Sequence, residues 1–296
     1  MQEKKPLVSV LIANYNNGAY ILEAIKSVVN QTYKNWEIVI VDDASTDASW
    51  TIINEIAKAY DNIRIYRNDK NLKVGANKAK ATSLAKGKIC AILDADDALE
   101  PTAIEKHVAV FSKQPNCCLV GSNYFLCDQE LHLESTNNHF FNPRNNYSYL
   151  SSNGGIHHFW SFNKQKYSLT KGFEERFVLA EDQDLFYKLE EVGEVHVINE
   201  PLYYYRAHKN SISQADKVAL AYGYHILAQL EALKRRKKEI IEIDAVKKTI
   251  LSFMNWGMIK IEKPFRKHLL IQVVKQYPNL IFRRKVLAMI KHLIKH

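Results

Sequence analysis

The stretch Lys88–Asp97, KICAILDADD, decides the reading of this chain. An apolar run, Ile89-Cys90-Ala91-Ile92-Leu93, stops abruptly at three carboxylates, Asp94, Asp96 and Asp97. A short apolar run bounded by a break is how a strand buried on both faces of a parallel sheet reads, and ligands bind outside the carboxyl ends of such strands. The carboxylates are therefore expected on the rim of a cleft. Asp94 and Asp96 can direct oxygens at a single hard divalent cation while leaving positions for water and a diphosphate. Acidic turns are common without any ligand, so the D-x-D spacing takes its weight from the rest of the chain.

Upstream, buried strands alternate with helices. Leu7–Ala13 reads as a first strand, followed by turn residues Asn14, Asn16, Asn17 and Gly18 and by a helix over Tyr20–Asn30 with Ile21, Leu22, Ile25, Val28 and Val29 at helical spacing. A second strand, Trp36–Val41, again ends in acid, Asp42 and Asp43; Ser45 or Thr46 is then placed to cap a helix carrying Trp50, Ile53 and Ile56. A third strand, Ile63–Tyr66, leads to a helix over Val74–Lys86, which Gly87 is expected to end. The βαβαβαβ order calls for a parallel sheet with right-handed crossovers. Asp42 reads as a cap for the following helix. Asp43 has a sharper role open to it, because a carboxylate can accept the imide N–H of a uracil.

Beyond Pro101, placed in the first turn of a helix reaching Phe111, the signals thin out. Cys117–Phe125 reads as a strand and Glu130–Gly155 as polar loops, where Ser152, Asn153, Gly154 and Gly155 can either approach a sugar or form a plain turn. In KGFEERFVLAEDQDLFYKL (Lys171–Leu189), Leu185, Phe186 and Leu189 form a helical stripe preceded by Glu181 and Asp182. Acids there suit a helix N-terminus, and Asp182 can also take a proton from a hydroxyl if the helix points at a cleft. Val195–Ile198 and Leu202–Tyr205 read as strands leading to His208, a residue type more often structural than ligating.

The chain of 296 residues, 47% hydrophobic, suits one sizeable α/β domain with a smaller appendage. No apolar run is long enough for a membrane span and Met1–Pro6 is too polar for a signal peptide, so a cytoplasmic protein is expected. Cys90, Cys117, Cys118 and Cys127 fit no zinc spacing and read as buried thiols. Glu231–His296 holds 17 Lys and Arg against 5 Asp and Glu, whereas the residues before it hold 24 against 27. Such asymmetry points to an anionic partner for the tail alone.

Taken together these pieces resemble the inverting glycosyltransferases of GT-A family 2. VSVLIANYNNGAYILEAIKSVVNQTY, WEIVIVDDASTD, the Asn71–Lys86 helix, LDADD, KGFEE with EDQDL, and EPLYYYRAHKNSIS follow in the family's order from Leu7 to about Ser213. The resemblance implies a Rossmann-like GT-A fold with a mostly parallel central sheet and a helical C-terminal extension. It implies a catalytic domain over 1–213, with a nucleotide-sugar half to about residue 100 and an acceptor half after it, and a basic extension over 214–296. It further implies that Ala13 and Tyr15 lie against the nucleobase, that Asp43 hydrogen-bonds it, and that Lys73 faces the nucleotide. Asp96 would bind a divalent metal, Mn²⁺ or Mg²⁺, with Asp94 reaching ribose or metal, His208 as a further metal ligand or diphosphate contact, and Asp182 as the base. The activity implied is metal-assisted transfer from a nucleotide-sugar, a UDP-sugar by preference, to a saccharide or lipid-linked acceptor of a cell-surface glycan.

Past Gln214 helices are expected over Lys217–Lys238, Ala245–Ile261 and Phe282–Ile294. The last sets Phe282, Val286, Met289, Ile290 and Leu293 on one face, with Arg283, Arg284, Lys285, Lys291 and Lys295 elsewhere. Two roles stand open: a lobe packed on the catalytic domain or on a second copy in a homo-oligomer, and a peripheral contact with an anionic bilayer on its inner face. Nucleic acid is disfavoured, since no reading motif is present. A sugar nucleotidylyltransferase would carry a Gly-rich loop after the first strand, where this chain has NYNNGAY with a single glycine. A non-catalytic sugar-nucleotide or membrane-binding module is the remaining alternative.

Overall fold

The computed structural model describes residues 5–137, 142, 148–152, 156, 158–208, 215–236, 239–282 and 287. Elements follow in the order β1 (Val8–Asn14), α1 (Ile21–Val29), β2 (Trp36–Asp42), α2 (Ser49–Ala57), β3 (Ile63–Arg67), α3 (Val74–Leu84), β4 (Ile89–Ile92), β5 (Ala98–Leu99) and α4 (Ala103–Lys113). There follow β6 (Cys117–Cys127), β7 (Leu133–Asn137), β8 (Trp160–Asn163), α5 (Lys164–Tyr167), α6 (Glu181–Glu190), β9 (Glu194–Arg206), α7 (Ala215–Arg235), α8 (Ile240–Trp256) and α9 (Lys263–Gln276).

The chain divides into two compact units. The first takes in Met1–Asn142, Gly155–Arg176 and Lys188–His208, and holds one mixed sheet in the order β3-β2-β1-β4-β8-β6-β9-β5, with β7 on β6. β3, β2, β1 and β4 run parallel, so their carboxyl ends share one edge. β8 lies antiparallel to both β4 and β6 and joins that parallel half to the β6-β9 half. β1 and β2 are apolar nearly throughout because both faces are covered. Val8, Val10, Ile12, Ile38 and Ile40 pack with Ile21, Ala24, Ile25 and Val28 of α1, while α3 covers the opposite face of β1 and β2.

Three local expectations change. Gly87 does not end α3: the helix stops at Leu84 with Ala85 as its C-cap. Gly87 is needed for close approach, since a Cβ there would sit 2.7 Å from the Leu7 carbonyl oxygen and the Ser9 amide nitrogen. Ser45 and Thr46 do not cap α2, whose N-cap is Ala48; the Asp47 carboxylate accepts the Ser49 N–H instead. Pro101 lies just outside α4, before its N-cap Thr102.

The second unit comprises Pro143–Gly154, Phe177–Tyr187 and Lys209–His296. α7 packs on α8 and α9, burying Ile226, Leu230 and Leu233 together with Val246, Ile250, Phe253, Leu269 and Val273. Buried Glu242 accepts hydrogen bonds from the Ser148 hydroxyl at 2.6 Å and from Arg236 at 2.9 Å. The helix expected over Phe282–Ile294 lies, except for Phe282 and Leu287, outside the described residues, with its Arg283, Arg284, Lys285, Lys291 and Lys295. Among the described residues no helix is long and apolar enough to cross a membrane.

Candidate active site

The carboxyl edge of the parallel strands gathers most of the residues singled out above. Two loops there are tied together. The Asn14 amide donates to Asp42 at 2.7 Å, the Asn16 N–H to the Ser45 hydroxyl at 2.9 Å, and the Gly18 N–H to Asp47 at 2.8 Å, while the Asn16 side chain accepts the Thr46 N–H. Gly18 permits this: a Cβ there would meet the Asp47 carboxylate at 2.9 Å. Asp42 does not cap a helix; it is fully buried and accepts the Ser45 N–H and hydroxyl, with Arg67 at 3.3 Å. The loops frame Ala13, half-buried at the end of β1, and Tyr15, which is 46% exposed.

Asp43 follows directly after β2 and is buried. One of its oxygens accepts the Asn68 amide at 2.7 Å and the Leu72 N–H at 2.8 Å, and the other accepts the Lys73 N–H at 2.9 Å. The second oxygen thus keeps one acceptor position. Lys73 is exposed, and it meets Asp43 through its backbone amide.

The structure brings Asp96 and His208 together, Asp96 Oδ2 lying 2.9 Å from His208 Nε2. Asp94, whose side chain is 45% exposed, sits with Lys78 Nζ at 3.7 Å from its Oδ1. Asp97 is different in kind. It is buried, accepting the Tyr203 hydroxyl at 2.7 Å and the Arg206 N–H at 2.8 Å, and burial, with Asp96 and Asp94 nearby, pushes it well above the ordinary carboxylate range. Asp97 therefore braces the loop and leaves the accessible oxygens to Asp94 and Asp96. His158, stacked on Tyr205 with ring centres 4.2 Å apart, offers a nitrogen within 4.8 Å of ligand atoms of Asp94 and Asp97. The carboxyl groups of Asp94 and Asp96, with imidazole beside them, suit a divalent ion that tolerates oxygen and nitrogen together. Lys78 and His158 carry no signal in the sequence, and Arg206 is visible there only as part of the EPLYYYRAHKNSIS stretch; the fold assembles all three around the acidic segment.

Asp182 belongs to the second unit, in the first turn of α6. Its neighbours Glu181 and Asp184 are buried, Asp184 completely and with Arg235 at 3.9 Å, so Asp182 is the half-buried member of the three. Ala180 just before the helix holds φ at 55°. Asn16, Ala44 and Lys73 likewise hold φ between 55° and 74° beside Tyr15 and Asp43. Left-handed backbone at non-glycine residues costs roughly 1–2 kcal/mol each and concentrates at functional sites. Asn153, Gly154 and Gly155, weighed above as sugar contacts, lie outside the described residues; Ser152 is described, in a turn.

Residues 9–169 match the family model described as Glycosyl transferase family 2. The chain is 34% identical over 201 residues to a chondroitin synthase of Escherichia coli, covering 68% of this chain and 29% of that one. It is 32% identical to a hyaluronan synthase of Pasteurella multocida, covering 78% and 23%, and 31% identical to a glycosyltransferase of Haemophilus influenzae, covering 81% and 74%. The chain thus spans less than a third of the length of the two synthases. Its fold matches the crystal structure of S. aureus TarS 1-349 in complex with UDP, with TM-score 0.69 at 16% identity over 92% of this chain and 81% of that one. It also matches a mannosyltransferase of Pyrobaculum calidifontis, with TM-score 0.62 at 16% identity over 99% and 85%. The fold is the GT-A fold, and the chain belongs to glycosyl transferase family 2.

Proposed function

We propose that this chain is a glycosyltransferase that moves a sugar from a UDP-sugar to a saccharide or lipid-linked saccharide with inversion at the anomeric carbon, in the synthesis of a cell-surface polysaccharide. The observation that carries this reading is the contact between Asp96 and His208, which joins residues 112 positions apart beside Asp94 at the carboxyl edge of the sheet. The names of the relatives, chondroitin synthase and hyaluronan synthase, support the product class. Structural neighbours in complex with UDP, with UDP-GlcNAc, and with GDP-Man and Mn²⁺ support a nucleotide-sugar donor and a metal.

Under this reading Ala13 and Tyr15 hold the nucleobase, and the remaining acceptor position on Asp43 takes its imide N–H. Lys73 faces the nucleotide. Asp94, Asp96 and His208 hold a divalent cation; an imidazole in the set favours Mn²⁺ over Mg²⁺. When bound, that ion supplies Lewis-acid stabilisation of charge on the leaving diphosphate. Asp182 accepts the proton of the acceptor hydroxyl as that oxygen attacks C1 from the face opposite the diphosphate. The catalytic part is placed at 1–213 and the basic part at 214–296, where the surplus of positive charge suits an anionic membrane surface on its inner face.

The test is calorimetric titration of UDP into the full chain with Mn²⁺, then with excess chelator, beside Asp96→Ala. Binding that needs both metal and Asp96 supports the donor site. A folded protein that binds no UDP under either condition overturns the UDP assignment, and GDP, CDP and dTDP are then compared.

A further inference from the structure

Arg206 is the last residue of β9 and is only 2% exposed. A guanidinium stays protonated, so burying one is costly unless fixed partners meet its charge and its fork of donors. Here Nε donates to the Asp96 carbonyl at 2.6 Å, and the terminal nitrogens donate to the Gln129 carbonyl and the Glu23 carboxylate. The guanidinium carbon stands 4.7 Å from the centre of the Tyr20 ring. Its own backbone N–H donates to Asp97. One side chain therefore joins the start of α1, the acidic segment, the turn after β6 and the end of β9.

Just beyond it, the His208 ring lies 4.9 Å from the same Tyr20 ring and meets Asp96. Arg206 thus grips the backbone of Asp96 on one side and the chain leading to His208 on the other, while Tyr20 backs both side chains. Nε and both terminal nitrogens donate to protein groups, two carbonyls and a carboxylate.

We propose that Arg206 is a positioning residue for the cation site, setting the separation of Asp96 and His208, with Tyr20 as the wall against which both rest. The inference rests on the proposed reading of Asp94, Asp96 and His208 as ligands. A purely architectural arginine would govern stability alone; a positioning one governs how well two ligands meet one ion.

The full chain, Arg206→Lys and Tyr20→Leu decide the matter. Lysine keeps the charge but loses the fork, so it cannot reach Asp96, Gln129 and Glu23 together. Two readouts are taken: hydrogen exchange across Asp94–Asp97, where the Asp97 N–H closes on the Asp94 carbonyl at 3.2 Å, and titration with Mn²⁺ alone. Arg206→Lys should speed exchange in that segment and weaken Mn²⁺ binding, each about tenfold or more, with exchange in β1 and β2 unchanged. Tyr20→Leu should move both readouts the same way by less, and it decides the question if Arg206→Lys does not fold. A folded variant with wild-type exchange and wild-type Mn²⁺ affinity overturns the proposal alone. A wild-type chain that takes up no Mn²⁺ overturns the cation reading and this inference with it.

Discussion

Asp96 Oδ2 and His208 Nε2 lie 2.9 Å apart, bringing the acidic segment after β4 against the residues that follow β9. Asp96 hangs from a short irregular segment, and His208 lies beyond the last hydrogen-bonded residue of a strand. If the pair holds a metal, either one's loss should act on the metal-dependent share of nucleotide binding. Asp96→Ala and His208→Ala should each lower UDP affinity in Mn²⁺ by about tenfold or more, and leave the affinity measured in chelator unchanged. Calorimetry under both conditions checks this; an equal loss in chelator would mean the two side chains touch the nucleotide itself.

Asp43 makes the opposite prediction. Its carboxylate accepts two backbone N–H groups and the Asn68 amide, fixing the loop that enters α3. Asp43→Asn would turn an amide N–H₂ toward at least one of those donors, at a cost of roughly 1–3 kcal/mol. UDP affinity should fall equally with and without metal, and urea unfolding should show the lost stability. A variant with normal stability and altered preference among UDP, GDP and CDP would give Asp43 a part in base selection separate from its hold on the loop.

The parallel half is legible because β1, β2 and β4 are apolar runs buried almost throughout and α1 and α2 carry apolar stripes, so β1, β2, β3 and β4 and their helices stand close to where the sequence puts them. β5 and β8 were not. They have two and four residues, and their pairings with β9, β4 and β6 are long-range. Glu200-Pro201 reads as a break, yet β9 runs through it; the pairing with β6 is irregular at Asn123 and Pro201, which absorbs the missing proline N–H. α9 also went unseen, its Lys and Arg residues diluting the periodic signal. In the site, D-x-D and the ED pair are visible as patterns, whereas Arg206 and Lys78 look like any surface cation until burial shows what they hold.

Three acids open α6, and burial separates them. Asp182→Asn should lower kcat by about 10²–10⁴ while folding and UDP affinity stay at wild-type values. Asp184→Asn, at a fully buried position near Arg235, should instead show its effect in stability. Steady-state kinetics beside thermal unfolding sorts the two; full activity in folded Asp182→Asn would remove that residue from the role of base.

His107 offers a prediction about pH remote from the chemistry. It is buried in α4, with Nδ1 2.7 Å from the Ser161 hydroxyl and its ring 4.3 Å from that of Phe159. Burial, assisted by His196, pulls it from 6.5 down to about 3. The folded state therefore refuses a proton that the unfolded chain accepts, and the sign follows. Above pH 6.5 both states are neutral and His107 contributes no pH dependence; between 6.5 and about 3 the unfolded state binds more protons and stability falls with falling pH. The slope from one such group approaches about 1.4 kcal/mol per pH unit. Glu37 does not obscure this window. Burial pushes it up, but hydrogen bonds from Ser9, the Lys86 N–H and Arg64 hold it below its ordinary 4.5, so its contribution is lost only in more acid solution. Urea unfolding at pH 7 and pH 5 is compared between wild type and variant, because Asp97, held above the ordinary carboxylate range, gains stability as pH falls in both and cancels in the difference. His107→Gln, which cannot take up a proton, should fare better than the wild type between pH 7 and pH 5 by roughly 1–2 kcal/mol even if it lowers stability at pH 7. An equal change in both proteins would mean that His107 accepts its proton in the folded state, and that the packing around α4 opens to let it.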